Sequence, residues 1–394
     1  MNITGSLFSQ ILSLFNRSDF HGYVRAIKCE YRAKGFTSWE QFVAMMFCQL
    51  AQARSLREIT DGLQCCLGKL KHLGLQEAPK RSTLSYANAH RPWQLYVRLF
   101  YDLLERCREV SPRKKFRFKN KLLTLDSTTI ELCASLFDWA RWRQTKGAVK
   151  LHLLLDHDGY LPVFAHLSEG KAADLIVAQS LDFARGSIVV LDRGYIDYRL
   201  FAHWTEQGVY FVTRLKENAA FGAYESRPVP ANSPVRKDEL GRLNFFVAGA
   251  PCRHDLRRIE VWVPEKQQAL VLLTNNLHLS AATIAAIYKE RWQIELFFKT
   301  LKQQLKIKTF VGTSSNAVHV QIWTALIVVL VLKYLQFRSR FGWALSNLVA
   351  LLRWNLFSYR DLWQWLDDPF GTPPSQAPPS QLDLLLDSIP PAPS

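Results

Sequence analysis

No Cys-x-x-Cys pair occurs anywhere in this 394-residue chain. The seven cysteines (29, 48, 65, 66, 107, 133 and 252) follow no regular spacing, and no His or Cys succeeds them at zinc-site distance. A disulfide framework and a structural zinc site are thereby excluded, and reduced thiols in a cytoplasmic protein are expected. The opening residues, MNITGSLFSQILSLFNRSDF, lack the basic segment and small-residue cleavage site of a secretory leader, so secretion is not expected. No apolar run reaches bilayer length either. The segment AVHVQIWTALIVVLVLKYLQF at 317–337 is broken by His319, Gln321 and Lys333, leaving about ten uninterrupted residues where a span needs roughly twenty. A buried helix and no membrane partner are expected. Acid is also short: 34 Asp plus Glu stand against 50 Lys plus Arg, a net charge of +16. That excess points to a polyanion, since each neutralised phosphate releases condensed counterions.

What is present begins with length. The chain exceeds one ordinary domain and has ample apolar residues for a core, so two or three folding units are expected. Basic residues cluster with aromatics in SPRKKFRFKNK (111–121) and RWRQTKGAVK (141–150), the composition of a nucleic-acid surface or of a solvated basic face. Residues 1–108 read as helices, with Ser38 as a cap of one of them, and suit either a small DNA-binding unit or a helical packing module. From residue 119 the texture changes. KLLTLDSTTIEL, AVKLHLLLDHDG and YLPVFAHLSEG are consecutive strand-like runs with a turn at Asp158-Gly159. A helix, the strand SIVVLD, a second helix and the strand GVYFVTRLK follow. This order predicts an α/β fold, an RNase H-like mixed sheet with flanking helices, over 119–216 and 268–310. Residues 217–267 read as an inserted β subdomain, 311–368 as a C-terminal helical region with more buried helices, and 369–394, which holds 8 of the 17 prolines, as a disordered tail.

Three acids stand out against this background. In YKERWQIELFFKTLKQQLK (288–306), a continuous helix places Tyr288, Arg291, Glu295, Lys299 and Lys302 on one stripe. Ile287, Ile294, Phe297, Phe298 and Leu301 fall on the neighbouring, core-facing arc. Ordinary i,i+4 ion pairs would explain part of the stripe, but one acid among several cations leaves positive charge aimed at an external anion. Asp126 lies inside the strand LLTLDSTTI, where a carboxylate is costly unless paired or bound to a cation. Asp192 closes SIVVLDRGY, at the carboxyl end of a strand, where α/β sheets bind ligands. Each has a plain alternative: Asp126 as a hydrogen-bonded strand acid, Asp192 as the cap of the next turn.

The pattern Tyr, two residues, Arg, three residues, Glu, six residues, Lys in YKERWQIELFFKTLK resembles the signature of the DDE transposases of the insertion-sequence-4 family. TLDSTTI and LDRGYIDY look like that family's two aspartate motifs, and the N-terminal residues look like one branch of it, so the likeness spans 1 to about 365. The resemblance implies that Asp126, Asp192 and Glu295 are catalytic and ligate two Mg²⁺ ions, with Mn²⁺ as a substitute, the hard cations that oxygen ligands select. It also implies that Tyr288, Arg291 and Lys302, helped by Lys299, contact DNA. The implied reaction is cut-and-paste transposition: strand hydrolysis at the element ends, hairpin formation, and strand transfer into target DNA. The partners are double-stranded DNA and a second copy of the chain. Hairpin formation needs an extruded base stacked on an aromatic side chain, for which Trp262 is the candidate, with packing as its alternative role. A DNA-binding regulator without catalysis is the competing reading.

Overall fold

The computed structural model describes residues 5–371 except 32, 34, 67, 113–117, 134, 144–145, 171–173, 217–218, 232, 245, 248–249, 252–253, 306 and 308. Parts of both basic runs, Cys252 and most of the expected tail therefore lie outside the described residues.

Helices α1 (Leu7–Leu12), α2 (Arg17–Ile27), α3 (Ser38–Leu50), α4 (Leu56–Gln64), α5 (Arg81–His90) and α6 (Gln94–Val110) come first. Strands β1 (Leu122–Cys133), β2 (Arg141–Arg143), β3 (Lys146–Asp156) and β4 (Leu161–Glu169) follow, then α7 (Asp174–Gln179), β5 (Ile188–Leu191), α8 (Tyr198–Glu206) and β6 (Tyr210–Arg214). Next come β7 (Phe221–Ser226), β8 (Val235–Leu243), β9 (Phe246–Val247), β10 (Ala250–Pro251), β11 (Leu256–Val263) and β12 (Gln268–Thr274). Helices α9 (Ala281–Lys289), α10 (Trp292–Gln304), α11 (Ser315–Arg338), α12 (Leu345–Asn355) and α13 (Leu362–Asp367) complete the described chain. The contacts divide it into a helical unit, 1–110 with 303–394, and a sheet unit, 111–302.

In the helical unit the cap of α3 is Thr37, not Ser38. Thr37 and Glu40 form a reciprocal capping box, and Ser38 is the first helical residue. The apolar 317–337 segment lies within α11, which packs against α3, α5, α6 and α12. This helix is long and apolar enough to span a bilayer, yet 83% of its most apolar window is buried inside the protein. Its polar residues are accommodated there. The Gln321 amide accepts from the Val311 N–H at 2.9 Å and donates to the Thr309 carbonyl at 2.8 Å, and burial pushes Lys333 down to about 8.

The sheet unit is built on ten strands in the order β2-β3-β1-β5-β6-β12-β11-β8-β7, with β4 also on β3. Within it, β4-β3-β1-β5-β6 reproduces the RNase H-like order: β1 and β3 are antiparallel, while β5 runs parallel to both β1 and β6. Residues 217–267, read from sequence as an insertion, supply β7, β8 and β11, which continue the same sheet beyond β12. Alternation along the strands sorts two cores. Leu123, Leu125, Val189 and Leu191 pack under α8 with Phe201 and Trp204, whereas Leu122, Ile188 and Val190 pack under α9 with Ile284 and Ile287. Adjacent residues on a strand face opposite ways, so the even-numbered positions of β1 and β5 share the α9 side.

The outer hairpin depends on a close backbone approach. A Cβ at Gly241 would lie 2.3 Å from the Gly222 carbonyl oxygen. Gly241→Ala is therefore expected to pry β7 from β8 and lower stability by about 1–3 kcal/mol, as overpacking does, read as a fall in the urea midpoint.

Candidate active site

The parallel pairing of β1 with β5 sets Leu125 beside Leu191. One residue further on, where that pairing stops, Asp126 within β1 and Asp192 just past the end of β5 stand on neighbouring strands, on the α9 side by the alternation just described. Asp192 does not cap the following turn with its side chain, which removes the plain alternative for that residue. The Asp126 carboxylate accepts the Ser127 N–H at 2.8 Å.

Glu295 arrives on α10. The opening stretch is not one continuous helix: it breaks at Glu290 and Arg291, where the N–H groups of Arg291, Gln293 and Ile294 bond three residues back. Both side chains at the break are tied elsewhere in the sheet unit. Glu290 is buried and accepts the Tyr160 hydroxyl at 2.9 Å, and Arg291 donates to Glu295 at 2.5 Å and to Asp126 at 3.5 Å. The apolar arc holds as expected, with Ile287, Ile294, Phe297, Phe298 and Leu301 all buried.

Burial pushes Asp126 up to about 6, and the charges of Asp192 and Glu295 add to the shift while the Ser127 N–H and Arg291 oppose it. The folded chain thus holds this proton more tightly than an unfolded one. Stability from the protonated group is fully present below about pH 4 and is lost as pH rises through 6. In EDTA at pH 7, Asp126→Asn is accordingly expected to stabilise the protein by on the order of 2 kcal/mol. Thermal melting at pH 5 and pH 7 checks this, because the gain should fall to about half at the lower pH, which lies between the unfolded and folded pKa.

Among the cations read as DNA contacts, Lys302 reaches back to β1, with Nζ 2.5 Å from Thr128 Oγ1 and 3.1 Å from the Thr129 carbonyl. Lys299 is exposed. Tyr288 is buried with its ring 5.9 Å from the Arg291 guanidinium carbon, and burial pushes its hydroxyl up to about 12. Trp262 is not brought to the acids. It lies on β11, four strands from β1, roughly 19 Å at normal strand spacing, with the Arg236 guanidinium 3.8 Å from its ring centroid.

One feature had no signal in the residue pattern. On the face of β1 opposite Asp126, Ser127 donates to Asp174 at 2.6 Å, Lys150 lies 3.3 Å from the same carboxylate, and His152 Nδ1 is 3.4 Å away. Burial pushes His152 down to about 4, so it is neutral at pH 7. Only the register that pairs Ser127 with His152 reveals this support. Trp292, which helix geometry leaves outside the apolar arc, is 53% exposed.

No group of three or more His, Cys, Asp or Glu side chains stands ready to hold a metal among the described residues. Arg291 occupies the space between Asp126 and Glu295 as their counter-ion. The donor chemistry nevertheless fits a hard divalent cation: oxygen ligands alone, with the charges of Asp192 and Glu295 both acting on the buried Asp126 carboxylate.

An RNase H-like sheet that sets one aspartate within its first strand and a second just past the end of the adjacent parallel strand, under a helix carrying a glutamate, is the architecture of phosphoryl-transfer enzymes acting on nucleic acid. The profile "Transposase DDE domain" matches residues 117–331, and "Domain of unknown function (DUF4372)" matches residues 4–76. A protein from Geobacillus stearothermophilus named as transposase for insertion sequence element IS5377 is 30% identical over 256 residues, 64% of this chain and 67% of its own. Transposase y4zB of Sinorhizobium fredii is 29% identical over 72% of this chain and 80% of its own. A Synechocystis protein named as transposase for element IS4SA is 25% identical over the same shares. A solved piggyBac transposase synaptic complex with hairpin DNA covers 93% of this chain and 79% of its own at 10% identity and a TM-score of 0.41, too loose a likeness to carry an argument. The chain belongs to the DDE transposase-domain family.

Proposed function

We propose that this protein is a DNA transposase that moves an insertion sequence by cut-and-paste, with Asp126, Asp192 and Glu295 as the catalytic carboxylates. The observation that carries the reading is the register of β1 on β5, which delivers both aspartates to one face beneath the helix of Glu295. These three residues would hold two Mg²⁺ ions, with Mn²⁺ as a substitute. The chemistry such ions supply is activation of the attacking oxygen and neutralisation of the leaving one.

The chain's own residues do the positioning. Arg291 exchanges its two carboxylate partners for a phosphate of the element's end, a bidentate site that lysine would not reproduce. Lys302, held by Thr128 on the Asp126 face of β1, places a second positive charge along the same backbone, and exposed Lys299 adds a third. Tyr288, buried beside Arg291, supports that guanidinium from below. The ends form hairpins before strand transfer, and two copies of the chain hold the two ends.

Full-length protein incubated with duplex DNA carrying the inverted repeats that flank its gene is expected to give an Mg²⁺-dependent nick. A hairpin follows, migrating on a denaturing gel at twice the strand length. Binding without any cleavage product in Mg²⁺ or Mn²⁺ would instead establish a non-catalytic regulator.

A further inference from the structure

Within the helical unit, Arg54, Ser55, Leu56 and Arg57 at the start of α4, Arg81 at the start of α5, and Phe310 with Val311 line an open cleft of about 360 Å³. All three arginines are exposed, and none has a carboxylate partner among the described residues. The acid closest in sequence, Glu58, is engaged otherwise, accepting the Arg54 backbone N–H at 2.9 Å. In the sheet unit, by contrast, Arg242, Arg257, Arg258 and Arg291 each rest on a carboxylate. Three arginines around one cleft concentrate positive charge that an anion would neutralise, and a planar donor fork matches phosphate oxygens.

The helix that leaves this cleft identifies the source of the phosphate. On α5, Leu84, Ala87 and Asn88 are buried, while Ser82, Ser85, Tyr86 and His90 are exposed on the other side. Tyr86 is 68% exposed and stacks on His90 with ring centroids 4.1 Å apart. A free phosphate or small anion would make no use of that face. A duplex anchored by its backbone in the cleft would meet short hydroxyls and an aromatic ring presented along a helix, groups that hydrogen-bond base edges or phosphates in a major groove.

We propose that this cleft is a DNA backbone clamp: Arg54, Arg57 and Arg81 grip phosphates of the element's end and so lay the exposed face of α5 against its bases. This gives the N-terminal domain of unknown function, together with the start of α5, a role in end recognition. The proposal rests on the transposase reading for the identity of the DNA but not on catalysis.

The test measures binding of full-length protein, in EDTA, to a labelled duplex taken from either end of the element and to a scrambled duplex of the same length. Replacing all three arginines by glutamine is expected to weaken end binding at least tenfold near physiological salt. It should also flatten the slope of log affinity against log salt by nearly 3, since each lost phosphate contact removes about 0.9. Replacement by lysine should keep most of that slope, and Tyr86→Ala should reduce the preference for end over scrambled DNA. Unchanged affinity and slope in the glutamine variant overturn the proposal. So does a lysine variant whose salt slope is as flat as that of the glutamine one at an unaltered melting temperature, because the lost binding then does not follow the positive charge. Cleavage in Mg²⁺ separates the two readings. A wild type that binds through the cleft but never cuts refutes catalysis alone, and a glutamine variant that binds and cuts like wild type refutes the clamp alone.

Discussion

Asp126→Asn, Asp192→Asn and Glu295→Gln are each expected to lower DNA end cleavage by at least on the order of 10³-fold, no less than the loss of one transition-state hydrogen-bond donor costs in other enzymes. The amide is nearly isosteric, so the new side chain of Asp126→Asn would still accept the Ser127 N–H and the fold should survive. What disappears is the negative charge. Arg291 now neutralises part of that charge, and a divalent cation would need all of it. DNA affinity should change by less than about threefold, roughly 0.7 kcal/mol, because the cations on α10 are untouched. Gel shift and end cleavage on the same protein preparation separate the two effects. Any one variant that cuts within tenfold of wild type removes its residue from the catalytic set.

The second large effect concerns the sheet unit far from the acids. Arg257 and Asp238 are 3% and 5% exposed and form a bidentate pair, with both N–H to oxygen distances at 2.6 Å. The third arm of Arg257 donates to the Leu279 carbonyl at 2.5 Å. The pair therefore ties β8 and β11 to the segment that leads into α9. Asp238→Ala leaves a guanidinium buried without its counter-charge, a change that costs about 3–5 kcal/mol in buried pairs. For a unit of this size that is a fall in melting temperature of about 10 °C. Replacing both residues by apolar side chains of similar volume should recover most of the loss. A single Asp238→Ala variant that melts within about 2 °C of wild type, less than 1 kcal/mol, would show that water reaches Arg257.

Much of this was legible without coordinates, for reasons that differ from residue to residue. The order of strands and helices from 119 to 216 follows from period-two and period-3.6 apolar patterns, and the sheet forms accordingly. The apolar arc of Ile287, Ile294, Phe297, Phe298 and Leu301 is a local property of the backbone geometry, so it survived even though the helix breaks inside it. The break itself was not legible. It coincides with Glu290 bonding to Tyr160 and Arg291 bonding across to Asp126, partners 130 and 165 residues away. Thr37 in place of Ser38 is a smaller case: adjacent hydroxyl residues are equivalent in composition, and only the reciprocal bond with Glu40 chooses between them.

By itself, then, the amino-acid sequence determined the element order, the apolar faces, the surplus of positive charge and the three acids worth attention, all of which are set by neighbours along the chain. The tertiary structure alone decided that Asp126 and Asp192 stand side by side, because strand adjacency and register are made by hydrogen bonds between segments more than sixty residues apart. It alone decided that residues 217–267 extend the sheet, and that the arginines at 54, 57 and 81 surround one cleft. Those arrangements depend on which surfaces can be buried against each other, and that is a property of the folded whole.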